Sequence, residues 1–256
     1  MIIVRDLRVA LVASEAVAVE DQLPQGYIPH IGETRQYWRD IILGVNDGLV
    51  SIFLLVVGVV GGGLDRGQVL LTAVAGAIAG AISMAAGEYL ATKSQDEVLE
   101  AELTLEAAHI REFRDLELDQ LRGFFSEMGV RQEHLDDVMA AFEDNDIALL
   151  NAMGALEFGV VDSERRSPFR AMAAAGLLFL AGAAPSVLPF VFMDSATAGL
   201  IVATILSVTG LFIVGVVKAY VAKTSWVRSG LENMVVAGIG GLLAWFIGQA
   251  FGAILA

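Results

Sequence analysis

The chain has 256 residues, 56% of them apolar and 18% charged, with a formal net charge of −14 and no cysteine. A soluble domain is typically about 45–50% apolar and about 25% charged, so this chain is too apolar for a soluble enzyme of its length; yet residues 92–160 carry 17 acidic and 5 basic side chains, a net −12 that leaves only −2 elsewhere. That segregation excludes a nucleic-acid reader, which needs a basic footprint, and the lack of cysteine excludes disulfide scaffolds, zinc fingers, iron–sulfur clusters and thiol nucleophiles.

Residues 1–34 mix apolar side chains with Arg5, Asp6, Arg8, Glu15 and Glu20. No apolar run there is long enough for a cleaved signal with a small-residue cleavage site. The segment reads as an amphipathic or disordered lead-in, set off by Pro24, Gly26 and Pro29. Five later stretches meet the roughly 20-residue apolar requirement of a membrane helix: 41–63, 69–91, 169–192, 196–220 and 235–256. The fold class expected is therefore an all-α membrane protein with five transmembrane helices. Residues 35–91 supply the first two, and 161–256 supply the other three. A Gly-Leu-Asp-Arg-Gly turn at 63–67 joins the first pair, and Pro185 and Pro189 are expected to kink or stop the third span. Gly76, Gly80, Gly240 and Gly241 lie on spans rich in small residues. Such stripes let helix backbones approach closely or simply face lipid, and the sequence leaves both open.

Lys and Arg near span ends set orientation. Arg35, Arg39, Lys93, Arg165, Arg166, Arg170, Lys218, Lys223 and Arg228 fall on one side, and Arg66 alone on the other. The N-terminus and residues 92–160 are thus expected in the cytoplasm, with an odd number of spans placing the C-terminus outside.

Between the second and third spans, Leu99, Leu103, Ile110, Phe113 and Leu121 recur at helical spacing with no proline over 92–122,. The second span should run on into the cytoplasm as one long helix, with Gly123 and Gly129 allowing turns. Further helices are expected over 132–143 and 146–159, the latter capped by Asp144 or Asn145. On a continuous helix, Glu102, Glu106, His109 and Glu117 fall within an arc of about 80°. Met153 and Glu157, four apart, share a face on the last helix. Carboxylates with imidazole and thioether suit a first-row transition ion such as Fe²⁺ or Mn²⁺ better than Mg²⁺ or Ca²⁺. A solvated acidic helix face is the other reading of the same pattern. Within the spans, ionisable residues cost about 2.5–3.5 kcal/mol at a helix centre. Asp47 lies roughly two turns into the first span, with Asn46 before it and Ser51 after it. Met84 and Glu88 share a face of the second. A carboxylate and a thioether at that depth can hold a dehydrated dication, and a desolvated carboxylate can exchange a proton for it.

Residues 38–50, Trp-Arg-Asp-Ile-Ile-Leu-Gly-Val-Asn-Asp-Gly-Leu-Val, together with Ala-Ile-Ser-Met-Ala-Ala-Gly-Glu-Tyr-Leu at 81–90 and Lys-Ser-Gln at 93–95, resemble the two span signatures of the vacuolar iron transporter family. The resemblance runs from about Trp38 to the C-terminus. It implies a proton-coupled exporter of Fe²⁺, and often of Mn²⁺ or related ions, from the cytoplasm, working as a homodimer with its pathway near the dimer axis. It implies no organic cofactor and no enzymatic reaction. Asp47 and Met84 would be the transmembrane ligands. Asp40 would lie at the cytoplasmic mouth, and Glu88, on the cytoplasmic side of Met84, would supply the carboxylate that Gly76 does not. Glu102, Glu106, Glu117, Met153 and Glu157 would collect metal. Plant members of the family carry glutamate where this chain has Gly76 and where it has His109, and a second methionine where it has Gly154. The alternative to transport is a membrane-stemmed di-iron oxidase-like or metal-sensing domain, since Glu106-Ala-Ala-His109 is a Glu-x-x-His; ferritin-like sites need two such motifs plus two further glutamates. A non-transporting scaffold with an acidic docking domain would leave Asp47 without a purpose. No organelle signal is visible and the chain is compact, so a prokaryotic plasma membrane is the expected location, with a vacuole-like compartment as the alternative.

Overall fold

The computed structural model describes residues 35–159 and 166–255; the lead-in expected over 1–34, and Arg165, lie outside them. The described residues form nine helices and no strand: α1 (Arg35–Gly61), α2 (Arg66–Glu112), α3 (Arg114–Glu127), α4 (Gln132–Ala140), α5 (Asp146–Leu156), α6 (Pro168–Val187), α7 (Pro189–Phe192), α8 (Ala196–Ala222) and α9 (Trp226–Leu255). Five of these, α1, α2, α6, α8 and α9, are long and apolar enough to cross a membrane. They are the five stretches that hydropathy picks out, with α9 beginning nine residues earlier than the apolar run alone predicts.

Helix α1 is the hub, packed against α6, α9, α8 and α2. Its approach to α6 is a backbone-to-backbone contact. A Cβ on Gly48 would stand 2.0 Å from the Phe179 carbonyl oxygen, and one on Gly182 would stand 2.1 Å from that of Val45. On the opposite flank, a Cβ on Gly248 of α9 would stand 2.0 Å from the Gly58 carbonyl oxygen. Small residues at these crossings replace side-chain interdigitation with close van der Waals contact of the backbones. Of the two readings left open for the glycine stripes, close approach is the one seen: Gly76 faces Leu55, Gly80 faces the Phe179 ring, and Gly240 and Gly241 face Leu54 and Phe53. Ile52, Val56, Val69, Ala73, Ala77, Ala81, Phe179, Ala183, Phe190 and Ala203 fill the core between the helices.

The α1–α2 turn passes through Gly63 at φ +85°, a conformation open to glycine at no steric cost. Asp65 then caps α2 reciprocally with Gln68, at 3.0 and 3.1 Å,. Pro185 does not stop α6. The break comes at Leu188, and Pro189 starts α7, where its missing N–H costs nothing. Arg66, across the turn, donates to the carbonyls of Phe190 at 2.9 Å and Val191 at 3.0 Å.

At about 1.5 Å per residue, the 47 residues of α2 span roughly 70 Å, more than twice a hydrocarbon core of about 30 Å,. The apolar part, Arg66 to about Ala91, is sufficient to cross. The remainder projects outward and packs against α3 and α5, with Ile110, Leu121, Met139, Leu149 and Met153 forming a second core. Two details depart from the sequence pattern. The long helix breaks at Phe113 instead of running on past Leu121, because Arg114 turns away to donate to the carbonyls of Glu143 at 2.7 Å and Phe142 at 3.0 Å and to pair with Asp146. Gly123 sits inside α3, and the turn is made by Gly129 at φ +94°. Asn145 caps α5 through Ala148 N–H at 3.0 Å, one of the two caps expected.

Candidate metal-ion pathway

The outward part of α2 brings Glu106 and His109 to the start of α3, where Glu117 faces them. Their ligand atoms all lie within 4.8 Å of one another, and His109 Nδ1 is 3.6 Å from Glu117 Oε1. Glu106 and Glu117 are each 4% exposed, whereas His109 is half-buried. Among the described residues Glu106 Oε1 has no hydrogen-bond partner, and an orphaned buried carboxylate oxygen is costly. Burial is the main cause that pushes the Glu106 carboxyl up to about 7; the Glu117 and Glu157 carboxylates add to it, and His109 opposes,. Two acids and an imidazole at this spacing can share one divalent ion, which would replace mutual repulsion with attraction.

The sequence pattern puts Glu117 on the same helix face as Glu106. The structure brings it there by a different route, from a second helix beyond the break at Phe113. Glu102 stays exposed one turn back, and Glu157 is exposed at the end of α5. Met153 is fully buried in the apolar core of this region. Gly154 lets α5 pack onto α2, since a Cβ there would stand 3.3 Å from Leu103 Cδ2.

Within the spans, Asp47 is exposed on the surface of α1 and accepts a hydrogen bond from Ser51 Oγ at 3.0 Å. Ser51 in turn lines an apolar groove of about 760 Å³ between α1 and α9, which includes Gly58, Gly62, Gly248 and Gly252. Asn46, its neighbour, has a buried Oδ1 with no partner among the described residues. Met84 packs partly buried on the bundle core. Gly76 leaves little room for a longer side chain, since a Cβ there would lie 2.5 Å from Leu55 Cδ2.

Asp40 and Glu88 are joined by a residue that the sequence reading treats only as an orientation signal. Arg166, just before α6, pairs through Nη1 with Asp40 Oδ2 and through Nη2 with Glu88 Oε1 at 2.7 Å. Thr92 Oγ1 adds a 3.5 Å contact to the same Glu88 oxygen, and Arg39 lies 3.4 Å from Asp40 Oδ1. Asn46 and Arg166 are thus the polar groups that sequence reasoning passed over as site residues. An amide beside a span carboxylate was a visible signal for the first; the second depends on tertiary pairing.

A model described as the VIT family matches residues 38–249. Among curated proteins, vacuolar iron transporter 2 of Oryza sativa subsp. japonica is 30% identical over 215 residues, 83% of this chain and 86% of that protein. Vacuolar iron transporter 1 of Eucalyptus grandis is 29% identical over 83% of this chain and 85% of its own length. Protein CCC1 of Saccharomyces cerevisiae is 31% identical, covering 83% of this chain and 68% of that protein. These relatives are eukaryotic and most are named for the vacuole, so the prokaryotic plasma membrane expected from the sequence finds no support. The di-iron alternative is not favoured either: one group of three metal-capable side chains forms among the described residues, short of the ligand set such a centre requires.

Proposed function

The chain belongs to the VIT family, and we propose that it exports Fe²⁺, with Mn²⁺ and related divalent ions as further substrates, from the cytoplasm in exchange for protons. It is a multi-pass membrane protein and a transporter, not an enzyme. The observation that carries the reading is the continuity of α2. One unbroken helix bears Met84 and Glu88 within the apolar bundle and, five turns further out, Glu106 and His109 of the carboxylate–imidazole cluster.

In this reading the segment 92–159 is cytoplasmic, and its charge concentrates dications near the bundle. Glu106, His109 and Glu117 take the ion first, with Glu102, Met153 and Glu157 around them. Asp40 and Glu88 form the mouth. Asp47 and Met84 receive the ion inside the bilayer, where the carboxylate releases a proton as it accepts the metal and takes one back when the metal leaves. Asp47 is exposed on a single chain, and a carboxylate against lipid is costly unless it faces a cavity or another subunit. Ser51, the hydrogen-bond donor to Asp47, opens onto the α1–α9 groove, and in this reading a second copy covers that face, making a homodimer with its pathway near the axis.

The test is Fe²⁺ flux in proteoliposomes under an imposed pH gradient. The wild type should move iron and Asp47→Ala should lower the initial rate at least tenfold. Equal rates for the two would contradict the assigned pathway.

A further inference from the structure

Around the mouth, three helices converge on one cation. Asp40 comes from α1, Glu88 from α2 and Arg166 from the residue before the N-cap of α6, and their side chains are 17%, 22% and 14% exposed. The two nitrogens of one guanidinium each hold a different carboxylate. The ring of Tyr89 lies 5.1 Å from that of Phe169, packing the same α2–α6 junction beside the ion pairs. The trio is therefore an ordered, partly desolvated arrangement and not a pair of solvated surface contacts, which commonly contribute little.

Its charge balance is unusual for a cation entrance. Arg166 is the one cation shared by both carboxylates, a trio of net −1, and the more exposed Arg39, 3.4 Å from Asp40 Oδ1, brings the entrance to neutrality. Guanidinium stays protonated in proteins and offers its donors in a fixed planar fork. It cannot vacate the seat by losing a proton; it leaves only by moving. A dication in its place would be held by two carboxylates.

We propose that Arg166 is a tethered competitor for the cation: it occupies the seat between Asp40 and Glu88, and a divalent ion enters there only by displacing it. The latch sets how much metal the entrance holds at rest and raises the metal concentration needed for transport. This rests on the transport reading above, since it assigns a regulator to the same entrance.

The experiment uses the full chain in detergent and in proteoliposomes, with Mn²⁺ as the binding probe and Fe²⁺ as cargo. Equilibrium Mn²⁺ binding to Arg166→Gln should show one more ion per chain than wild type. That extra ion should vanish in Arg166→Gln/Asp40→Asn. Arg166→Lys keeps the charge on a side chain that cannot bridge both acids as a fork, and should bind the extra ion with intermediate affinity. In transport, Arg166→Gln should lower the KM for Fe²⁺ about tenfold. Identical Mn²⁺ stoichiometry and affinity in wild type, Arg166→Lys and Arg166→Gln would overturn the proposal, as would a fall in Vmax and thermal stability with KM unchanged, the signature of a mere strut. If wild type moves no iron while Arg166→Gln gains the extra Mn²⁺ site, the latch stands and the transport reading fails.

Discussion

The bundle and the outward segment are held together by opposite means, and they treat cations in opposite ways. In the bundle, helices meet where side chains are missing: Gly48, Gly182 and Gly248 let α1 touch α6 and α9 backbone to backbone. In the outward segment, helices meet through an ordinary amphipathic core of Ile110, Leu121, Met139, Leu149 and Met153. The carboxylates at the bundle mouth already have cations, Arg166 between them and Arg39 beside Asp40. Those of the outward cluster have none beyond a half-buried His109, and one oxygen of Glu106 is orphaned among the described residues. A site that is unsatisfied when empty favours capture; a site already neutralised favours release onward. In the transport proposed above, the ion would pass from the unsatisfied cluster to the entrance that Arg166 occupies.

Substituting in both regions separates these modes. The largest effect is expected at Gly48→Val. Its Cβ cannot clear the Phe179 carbonyl, and overpacking a tight contact costs on the order of 3 kcal/mol. The variant should lose its monodisperse peak in size-exclusion chromatography, whereas a glycine outside the bundle should tolerate change.

Next comes metal capture. Glu106→Gln or Glu117→Gln should weaken Mn²⁺ binding by roughly 10–100-fold, a typical cost of disturbing a metal site, measured by titration on the full chain. Glu102→Gln, changed at an exposed position, should weaken it by less than about threefold, as expected of a screened surface charge. Equal losses at Glu102 and Glu106 would replace a defined cluster with a diffuse acidic field.

The pH dependence follows from Glu106. Its folded-state value of about 7 exceeds the ordinary 4.5, so between those values the folded chain holds a proton that the unfolded chain has released. The contribution to stability is full below pH 4.5 and is lost as pH rises through 7,. The metal-free protein should therefore show a lower Tm at about pH 8 than at about pH 5, a difference that Glu106→Gln reduces. Metal binding runs the other way, because a dication needs the ionised carboxylate, so the Tm gain from Mn²⁺ should grow from about pH 5 to about pH 8.

The smallest effect is Gly123→Ala. A Cβ there meets nothing within 4 Å, and the residue is inside α3. Replacing a helical glycine by alanine should stabilise that helix by about 0.5–1 kcal/mol, visible as a small rise in Tm.

Much of the fold is legible in local pattern. Hydropathy marks the five long helices because each must bury about 20 apolar residues, and Asn145 declares the start of α5 by its capping chemistry. Proline is a poorer guide: Pro185 is absorbed in α6 and Pro189 marks a start instead of a stop. The outward site is half legible. Glu106 and His109 are three apart on one helix, a spacing that sequence periodicity reads directly. Glu117 reaches them only because the helix breaks at Phe113, which depends on Arg114 binding carbonyls 28 and 29 positions away. The Arg166 pairs span 126 and 78 positions, distances over which no local signal acts.

The most direct test of the account is simultaneous recording of Fe²⁺ influx and lumenal pH in the same proteoliposomes, oriented with residues 92–159 outside. Iron entering with protons leaving in fixed proportion, both abolished together in Asp47→Ala, is the predicted result. Iron entry with no proton movement, or unaltered in that variant, would contradict it.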